Sequence, residues 1–583
     1  MARVEAPWTA RFGTAAAALV AYGAWSVWLT WPLVRGLRST LFGDYGDTRG
    51  WGWWLWAKAQ GMLDGPANPF LAAPFGTPNN NVISQPLSEG AFLALARAAG
   101  SEIAGINLFV MLSFPLTAFA AFIALRRLTG SAAGAFVGGA IFGFCPAAVM
   151  QATGGHSIFS FNAFVPLFLL ALFANRRRRT LVTAAAVGLA FACIAFNALY
   201  FGYFALYLAL YFALYDWLTR EGESIGRMFR NYAACAFFAV VFALPVEVAA
   251  IHEHVTSDTA ELAKAGHIRD FSQLEVYSAR PLDYLLPPVD HVVLGRFTGT
   301  LRQAQLHDSN AFEQTLYLGV VPLALFMAGI ALLALGRFEA THRRLFIFFV
   351  VGALWMYFVS MPPFVGGLPM PSWFGYHVAP MFRVYARAGM LVLFFLACAG
   401  SLVVAHIIAS RRGAVRSGAL VAALLVLLVV DYQTVPHAYA RPLEPAPEVY
   451  RWLSRQGGDP LVAEYPMVNF DLAAFYTYPF WQRLHRKRLV NGAAPDNPPA
   501  WEFFNRVKDP SLDSTPRELK ERGVSLVIVH ADMYRDGPIP AALKPYYPPA
   551  LDALSFDGGV APPMAPGFKL LQVFGSDRVY TLP

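Results

Sequence analysis

The sequence predicts an α-helical, multi-pass membrane protein that carries a small α/β domain at its C-terminal end. Hydrophobic residues make up 56% of the 583 residues and charged residues only 14%, whereas a soluble domain usually carries about 25% charged residues. Apolar runs recur along the chain, and many approach the ~20 residues that a helix needs to cross a ~30 Å hydrocarbon layer. Composition and run length therefore place most of the chain in a lipid bilayer.

About eleven membrane-spanning helices are predicted from these runs. The first run, residues 13–33, is longer than the apolar core of a signal peptide and precedes no convincing cleavage site, so we interpret it as an uncleaved span. The boundary between the two spans that meet near Asn197 is weakly marked in the sequence. Residues 84–99 are not counted as a span, and a short re-entrant helix is the alternative for them. The other predicted spans are residues 104–125, 132–150, 157–174, 181–197, 199–218, 231–251, 315–335, 345–360, 388–409 and 418–435.

Arginine clusters predict the orientation of these spans. Cytoplasmic loops carry an excess of Lys and Arg, and basic clusters follow the second, fourth, sixth, eighth and tenth predicted spans. The N-terminus is therefore predicted in the cytoplasm, and an odd number of spans places the C-terminus outside. The clusters are Arg126, Arg127, Arg176, Arg177, Arg178, Arg179, Arg220, Arg227, Arg230, Arg337, Arg343, Arg344, Arg411, Arg412 and Arg416.

The chain is predicted to divide into a transmembrane part, residues 1–439, and an extracytoplasmic α/β domain, residues 440–583. Prolines mark the linker between them, and the remaining length suits a small domain. Buried strands are predicted at residues 461–465 and 524–530, with a helix over 516–522 and one or two strands over 568–582. Three long external loops are predicted at residues 35–103, 252–314 and 361–387.

Charge and cysteine patterns exclude several classes of function. The net charge is +8, but the basic residues lie in short clusters between apolar runs and form no basic stripe, so no nucleic-acid partner is expected. The 4 cysteines lie in or beside apolar runs without a CxxC pair, which argues against a disulfide framework or a zinc site. The expected surroundings are membrane lipids.

The first external loop contains an acidic motif, Gly43-Asp44-Tyr45-Gly46-Asp47-Thr48-Arg49-Gly50, followed by a Trp-rich stretch. Carboxylates beside hydrocarbon are costly and are retained for ion pairing, metal binding or acid–base chemistry. The Trp-rich stretch through Gln60 predicts an interfacial helix that holds the loop at the bilayer surface. The alternative is that Asp44 and Asp47 only cap this helix, with Asp47 as the N-cap.

Two further sets of polar residues are candidate binding residues. His156, at the external end of the third predicted span, either donates to a phosphate or sugar hydroxyl or is an interfacial residue in a tight turn. Arg383 and Arg387 lie four residues apart, a spacing that shares one helix face. They lie outside, where clustered Arg is disfavoured, so we predict a bidentate phosphate site. The alternatives are anionic lipid headgroups or a carboxylate of the second long loop.

The pattern from the acidic pair through the Trp-rich helix to Asn68-Pro69-Phe70 and Ala73-Pro74-Phe75-Gly76 resembles the first external loop of the GT-C superfamily. These are polytopic glycosyltransferases that use polyprenyl-phosphate-linked sugars. The organisation is most similar to bacterial members with a C-terminal extracytoplasmic domain. The resemblance implies a GT-C-like enzyme of the bacterial cytoplasmic (inner) membrane that transfers sugar to a glycan, lipid or protein acceptor on the extracytoplasmic side.

The same resemblance implies that Asp44 or Asp47 is the catalytic base, and we include Arg49 of the motif among the substrate-binding candidates with His156, Arg383 and Arg387. It establishes no cofactor. The D-x-x-D spacing departs from the commoner D-x-D or E-x-D, so a divalent metal, Mg²⁺ or Mn²⁺, stays open. Two alternatives remain: a transporter or flippase of a lipid-linked glycan, and a non-catalytic GT-C-like assembly partner. Transporters usually place ionisable residues near the midplane of paired repeats, and no internal repeat is found.

Overall fold

The computed structural model describes residues 8–582 apart from 45, 66, 80–84, 221, 223, 257–267, 411–413, 435–439, 469–472, 496 and 537–560. Helices dominate these residues, and the strands are few and short. The helices are α1 (Trp8–Leu29), α2 (Asp47–Ala59), α3 (Pro86–Ala99), α4 (Glu102–Thr129), α5 (Ala132–Gly143), α6 (Pro146–Thr153), α7 (Phe164–Arg178), α8 (Leu181–Asn197), α9 (Leu199–Leu218), α10 (Ile225–Thr256), α11 (Ser272–Val276), α12 (Gly295–Ala304), α13 (Ala311–Gln314), α14 (Val320–Ala334), α15 (Ala340–Ser360), α16 (Pro371–Val378), α17 (Gly389–Ser410), α18 (Ala414–Tyr432), α19 (Glu448–Ser454), α20 (Thr477–His485), α21 (Pro498–Val507), α22 (Ser514–Glu521) and α23 (Ala531–Asp536).

The chain is a multi-pass membrane protein. Among the described residues, 7 helices are long and apolar enough to cross a membrane. Shorter apolar helices cover Gly13–Leu29, Leu181–Asn197 and Val320–Ala334. Each predicted span overlaps at least one helix, and 132–150 is divided between two; the total of eleven and the orientation stay predictions. The 7 long helices are Glu102–Thr129, Ala132–Thr153, Leu199–Leu218, Ile225–Pro245, Ala340–Ser360, Tyr385–Ser410 and Val415–Tyr432.

Local chemistry explains where these helices begin and end. Ser101 caps α4 by accepting a hydrogen bond from the N–H of Ala104, and Gly130 ends the helix in the left-handed conformation. The predicted span 132–150 is interrupted between α5 and α6, because Pro146 has no N–H to continue the α5 ladder and instead opens α6. Close packing in the bundle needs small residues: a Cβ added at Gly143 of α5 would lie 2.4 Å from the Cβ of Ala118 on α4.

The C-terminal part of the chain forms a five-stranded mixed sheet flanked by short helices. Strands β7 (Leu461–Tyr465) and β9 (Val524–His530) pair in parallel, and the hairpin of β10 (Lys569–Phe574) and β11 (Asp577–Thr581) joins β9 in antiparallel fashion. This confirms the predicted strands at 461–465 and 524–530 and the strands predicted within 568–582. The strands, in the sheet order β10-β11-β9-β7-β8, are β7 (Leu461–Tyr465), β8 (Arg488–Leu489), β9 (Val524–His530), β10 (Lys569–Phe574) and β11 (Asp577–Thr581); the remaining pairs are β1 (Thr40–Phe42) with β6 (Ala440–Pro442), β2 (Ala67–Asn68) with β3 (Thr77–Pro78), and β4 (Phe364–Val365) with β5 (Leu368–Pro369).

Residues 35–103, the predicted first external loop, pack against the C-terminal part of the chain. Strand β1 of the loop pairs with β6, and Trp53 Nε1 on α2 donates a 2.9 Å hydrogen bond to Oε1 of Gln482 on α20. Trp53 and Trp56 are buried in one hydrophobic cluster with Leu453 and Leu489. The prediction that the Trp-rich helix lies on the bilayer surface is therefore wrong for these two residues, because protein rather than lipid buries their indoles. The chain division at residue 440 stays a prediction.

Candidate functional site

A cavity of 850 Å³ opens where the first external loop, the ends of several helices and the C-terminal part meet. Its volume falls within the ~300–1,000 Å³ typical of ligand sites. Its wall contains four of the predicted site residues at one end, with Arg269 and Tyr476 beside them; the four are Asp47, His156, Arg383 and Arg387.

Helix α2 presents one face to this cavity. Asp47, Trp51, Trp54 and Lys58 follow one another at intervals of three or four residues, which places them on the same side of a helix, and all four line the cavity. Helix α2 begins at Asp47, and its N-cap position is Gly46, which has no side chain. Asp47 is therefore not the N-cap that the alternative interpretation expected.

The two carboxylates of the acidic motif lie in different surroundings. The Asp44 side chain is buried, and its Oδ1 accepts a 3.5 Å hydrogen bond from the N–H of Thr48 in the first turn of α2. Asp44 is not part of the cavity wall. The Asp47 side chain is 47% exposed and lies on that wall. Asp47 is thus the carboxylate that a ligand in the cavity meets.

His156 joins Asp47 to a second carboxylate. Its Nε2 lies 2.9 Å from Oδ2 of Asp47, and its Nδ1 lies 3.2 Å from Oε1 of Glu313 and 3.1 Å from Oε1 of Gln151. Burial lowers the pKa of His156, but the negative charges of Glu313 and Asp47 outweigh burial and raise it above its ordinary value. A protonated ring donates through both nitrogens, which matches this arrangement.

The turn before His156 allows this close approach. Gly155 has a φ of +79°, a conformation that glycine adopts without strain. A Cβ added there would lie 2.7 Å from Oδ1 of Asp44, 2.7 Å from the N of Thr48 and 2.8 Å from the Cβ of Asp47. Gly155 is therefore the point where the start of α2 contacts the His156 segment.

Glu313 is held by Arg387. The Nε of Arg387 donates to Oε2 of Glu313 at 3.0 Å, a terminal nitrogen of the same guanidinium donates to Oε1, and Gln151 Nε2 donates to Oε2 at 2.9 Å. Burial alone raises the pKa of Glu313, but the charges of Arg387 and His156 lower it to about 2. The guanidinium lies 4.0 Å over the Phe159 ring. For Arg387, the structure therefore agrees with the alternative prediction, in which the arginine binds a carboxylate of the second long loop, residues 252–314.

Besides His156 and Arg387, the cavity wall carries a pair of neighbouring cations, Arg383 and Arg269. Arg383 donates a 2.8 Å hydrogen bond to Oε1 of Gln273 and lies 4.8 Å over the Tyr277 ring. Burial and the charge of Arg383 lower the pKa of Arg269, so the two cations repel one another. Among the described residues, neither forms an ion pair with a carboxylate. The expected shared helix face of Arg383 and Arg387 is wrong, because Arg383 precedes the 3₁₀ turn Tyr385–Ala388.

Comparisons with known proteins bear on the fold. No protein-family model matches the sequence, and no curated protein matches it significantly. The mycobacterial arabinofuranosyltransferase AftD aligns with a TM-score of 0.52 and 16% identity over 97% of this chain and 40% of that chain. The apo oligosaccharyltransferase of Archaeoglobus fulgidus aligns with a TM-score of 0.51 and 11% identity over 89% of this chain and 70% of that chain. Both are GT-C glycosyltransferases.

The chain has the GT-C fold. This confirms the fold that the first-loop motif predicted. The chain spans 40% of the length of AftD, and the similarity in sequence is low, so the comparison establishes the architecture and leaves the activity to be argued from the site.

Arg49 does not line the cavity. Its terminal nitrogen pairs with Oε2 of Glu444 at 3.3 Å, and its guanidinium lies 5.5 Å from the centroid of the Phe480 ring. Arg49 therefore connects the first external loop to the C-terminal part of the chain. The substrate-binding role expected for it has no support from its position.

The described side chains that line the cavity do not form a ligand set for a divalent metal. In the described ranges no group of three or more His, Cys, Asp or Glu side chains is placed to hold a metal. Asp47 and Glu313 both already face cationic side chains, whereas Mg²⁺ and Mn²⁺ need several available oxygen ligands. We assign no step to a metal.

Glu313, Gln151 and Arg269 were missed by sequence reasoning. One signal was present for Glu313, because it lies immediately before the predicted span 315–335 and a carboxylate beside hydrocarbon calls for a functional explanation. Gln151 and Arg269 carry no comparable signal, since isolated polar residues near helix ends are common. Their roles become visible only when the GT-C fold brings distant segments together.

Proposed function

We propose that the chain is a membrane glycosyltransferase, which moves a sugar from a polyprenyl-phosphate carrier to an acceptor hydroxyl on the extracytoplasmic side of a bacterial cytoplasmic membrane. The observation that carries the proposal is that one cavity contains Asp47 together with Arg269 and Arg383, two cations that have no carboxylate partner among the residues that the structure describes. Sugar transfer from a phosphate carrier needs a base near the acceptor and positive charge near the leaving phosphate.

Arg269 and Arg383 suit the phosphate of the carrier. Two like charges on a partly buried wall repel one another, and an anion between them relieves that repulsion. Guanidinium groups bind phosphate oxygens in a planar, bidentate geometry. The sequence suggested that Arg383 and Arg387 bind the phosphate. In this proposal Arg383 and Arg269 bind it instead, and Arg387 holds Glu313 in place.

Asp47 is the proposed base. The acceptor oxygen forms a bond to the anomeric carbon, its proton passes to Asp47, and the bond from that carbon to the carrier phosphate breaks with its electron pair leaving on phosphate. His156 engages Oδ2 of Asp47, which orients the carboxylate and leaves Oδ1 for the acceptor proton. Because phosphate is a good leaving group, positioning and a single base account for the reaction.

The proposal is tested by matched carboxylate variants. Asp47→Asn and Asp44→Asn each keep size and remove one negative charge, and label transfer from radiolabelled polyprenyl-phosphate pentoses and hexoses is measured in membranes that contain equal amounts of each protein. We expect Asp47→Asn to lose roughly 10²–10⁴-fold in rate and Asp44→Asn to lose far less. Normal transfer by Asp47→Asn contradicts its role as base, and no transfer by the wild type from any donor contradicts the transferase itself.

A further inference from the structure

The cavity extends well beyond the groups that the transfer step uses. The face of α2 that lines it runs from Asp47 to Lys58, a distance of about 16 Å at 1.5 Å per residue. Strands β2 and β3 and the start of α3 form the wall at the Lys58 end. This part, which we call the distal cleft, consists of the cavity-lining residues Trp51, Trp54, Lys58, Asn68, Thr77 and Gln85.

The distal cleft carries polar groups that the described residues do not satisfy. Asn68 is 1% exposed, and its Oδ1 accepts a hydrogen bond from the N–H of Phe70, but its Nδ2 has no partner. Thr77 Oγ1 and Gln85 Oε1 likewise have no partner within the described residues. Leaving one such group unsatisfied in a buried position is costly, because the water that it bonded in the unfolded chain is not replaced. Three of them together on one wall indicate a ligand that supplies both donors and acceptors.

These groups lie just beneath the cavity surface and can reach a ligand by small rotations. The terminal torsions of Asn and Gln are broad and soft, so the carboxamides of Asn68 and Gln85 turn at low cost. Between them they offer a donor, an acceptor and, at Thr77, a hydroxyl that serves as either. A ligand rich in hydroxyl groups complements this set, because each hydroxyl both donates and accepts.

Aromatic faces line the same cleft. Trp51 and Trp54 are half-buried and meet edge to face, with 5.7 Å between their ring centroids, and Trp51 stacks on Phe92 at 4.7 Å. This packing holds the indoles in place before a ligand binds. Rigid indoles supply a large apolar contact area at low entropic cost, which suits the C–H faces of pyranose or furanose rings.

Charged groups of both signs lie at the distal cleft, and its cation already has a carboxylate partner. Lys58 forms a 2.9 Å ion pair with Asp64, and Glu89 accepts a 2.9 Å hydrogen bond from the N–H of Gln85. Within the described part of the distal cleft, a polyanionic ligand therefore meets no cation that lacks a carboxylate partner, in contrast to the end with Arg269 and Arg383. An extended peptide is typically held by pairing with a strand edge, whereas the β2–β3 hairpin here is only two residue pairs long.

We infer that the acceptor is a neutral glycan, bound along α2 with a hydroxyl at Asp47 and its further sugar rings on Trp51 and Trp54. Asn68, Thr77 and Gln85 recognise the ring hydroxyls in the distal cleft. The inference rests on the proposed function only for the location of the reacting hydroxyl; the cleft and its chemistry are independent of that.

Binding without transfer tests this inference. Purified full-length protein in lipid nanodiscs is applied, with no donor present, to an array of immobilised neutral oligosaccharides, acidic oligosaccharides and peptides. We expect binding to neutral oligosaccharides by the wild type, and binding about tenfold weaker or worse for Trp54→Ala and for Gln85→Ala. Trp54→Phe, which keeps an aromatic face, restores most of the affinity. Trp217→Ala, which removes an exposed indole elsewhere, is the matched control.

The outcomes separate the two proposals. Absence of binding to every neutral oligosaccharide, in a protein that still transfers label from a carrier, overturns the glycan acceptor and leaves the transferase standing. Peptide binding that is lost in Trp54→Ala overturns it in favour of a peptide acceptor. The opposite result is also informative. If Trp54→Ala loses glycan binding while Asp47→Asn transfers sugar normally, the glycan site in the distal cleft is upheld and the assignment of Asp47 as the base is wrong.

Discussion

Oε1 of Glu313 lies 3.2 Å from Nδ1 of His156, so one buried carboxylate contacts both the imidazole and the guanidinium of Arg387. With Asp47 on the other ring nitrogen, the four side chains alternate in charge from Arg387 to the cavity. Removing any charge in the series leaves its neighbours unbalanced in a site of low dielectric constant.

Glu313→Gln tests the series. The variant keeps size and removes the charge that raises the pKa of His156, so that pKa falls. The stability that His156 gains from its carboxylates is present below its unfolded pKa and is lost as pH rises through the raised folded pKa. We therefore expect the alkaline loss of transfer activity to move to lower pH in Glu313→Gln, as measured by a pH–rate profile. Glu444→Gln, the exposed partner of Arg49, leaves the profile unchanged; an unshifted profile in Glu313→Gln contradicts the coupling.

Arg269→Lys and Arg383→Lys test the proposed phosphate group. Both variants keep the positive charge but lose the planar fork, so we expect affinity for a short-chain polyprenyl phosphate to fall about tenfold, or ~1.4 kcal/mol. Affinity is measured by titration of the purified protein in detergent. Arg49→Lys makes the same substitution outside the cavity and is the control. Wild-type affinity in both cavity variants shows that the phosphate binds elsewhere.

Gly155→Ala tests the contact between the His156 turn and α2. The added methyl group overlaps Asp44 and Thr48, and we expect transfer activity to fall sharply with a stability loss of roughly 1–3 kcal/mol. Gly366→Ala places the same substitution at a φ of +58° with nothing within 4 Å, so it carries the backbone cost without the overlap. Thermal unfolding and activity are measured for both, and equal activity in the two variants is inconsistent with a steric role for Gly155.

His530 contributes pH-dependent stability to the C-terminal sheet. Its Nδ1 lies 2.8 Å from Oδ1 of Asp577 and its Nε2 lies 2.9 Å from Oε2 of Glu464. Burial lowers the pKa of His530, but these two carboxylates raise it to about 10. The resulting stability is therefore present below the ordinary pKa of His and is lost as pH rises toward about 10.

His530→Gln removes this dependence. We expect a loss of about 3–5 kcal/mol near neutral pH, because Glu464 is left buried without its cationic partner, and a smaller difference from the wild type near pH 10. Thermal unfolding of the full-length protein in detergent, followed from pH 6 to pH 10, measures it. His377→Gln on the exposed end of α16 controls for the substitution. A constant difference across this pH range refutes the assignment.

Much of the fold was predictable because apolar runs report burial directly. The strands at 461–465 and 524–530 appear where short, largely apolar runs predicted them. The interruption after α5 was also visible in the sequence as Pro146, but the length of the run 132–150 outweighed that signal. Interior and lipid-facing helices look alike in composition, so the sequence does not tell which face of each helix packs inward.

The site was predictable in its parts and not in its connections. Asp47, His156 and Arg387 were each singled out by type and position, but their contacts depend on how three loops pack, which no local pattern reports. Glu313 connects two of them. Arg383 and Arg387 were grouped by an assumed helix, whereas the backbone changes conformation between them at Tyr385 and directs the two side chains to different partners.

The pairing of β1 with β6 has a consequence for biosynthesis. Leu41 lies opposite Arg441, so β1 is made about 400 residues before its partner and pairs only after the polypeptide beyond α18 has been made. Until then the edge of β1 and the indoles of Trp53 and Trp56 lack the surfaces that cover them. The first loop of a nascent or truncated chain is accordingly open to proteases, and it becomes resistant only when synthesis has passed β6 and the C-terminal sheet has folded.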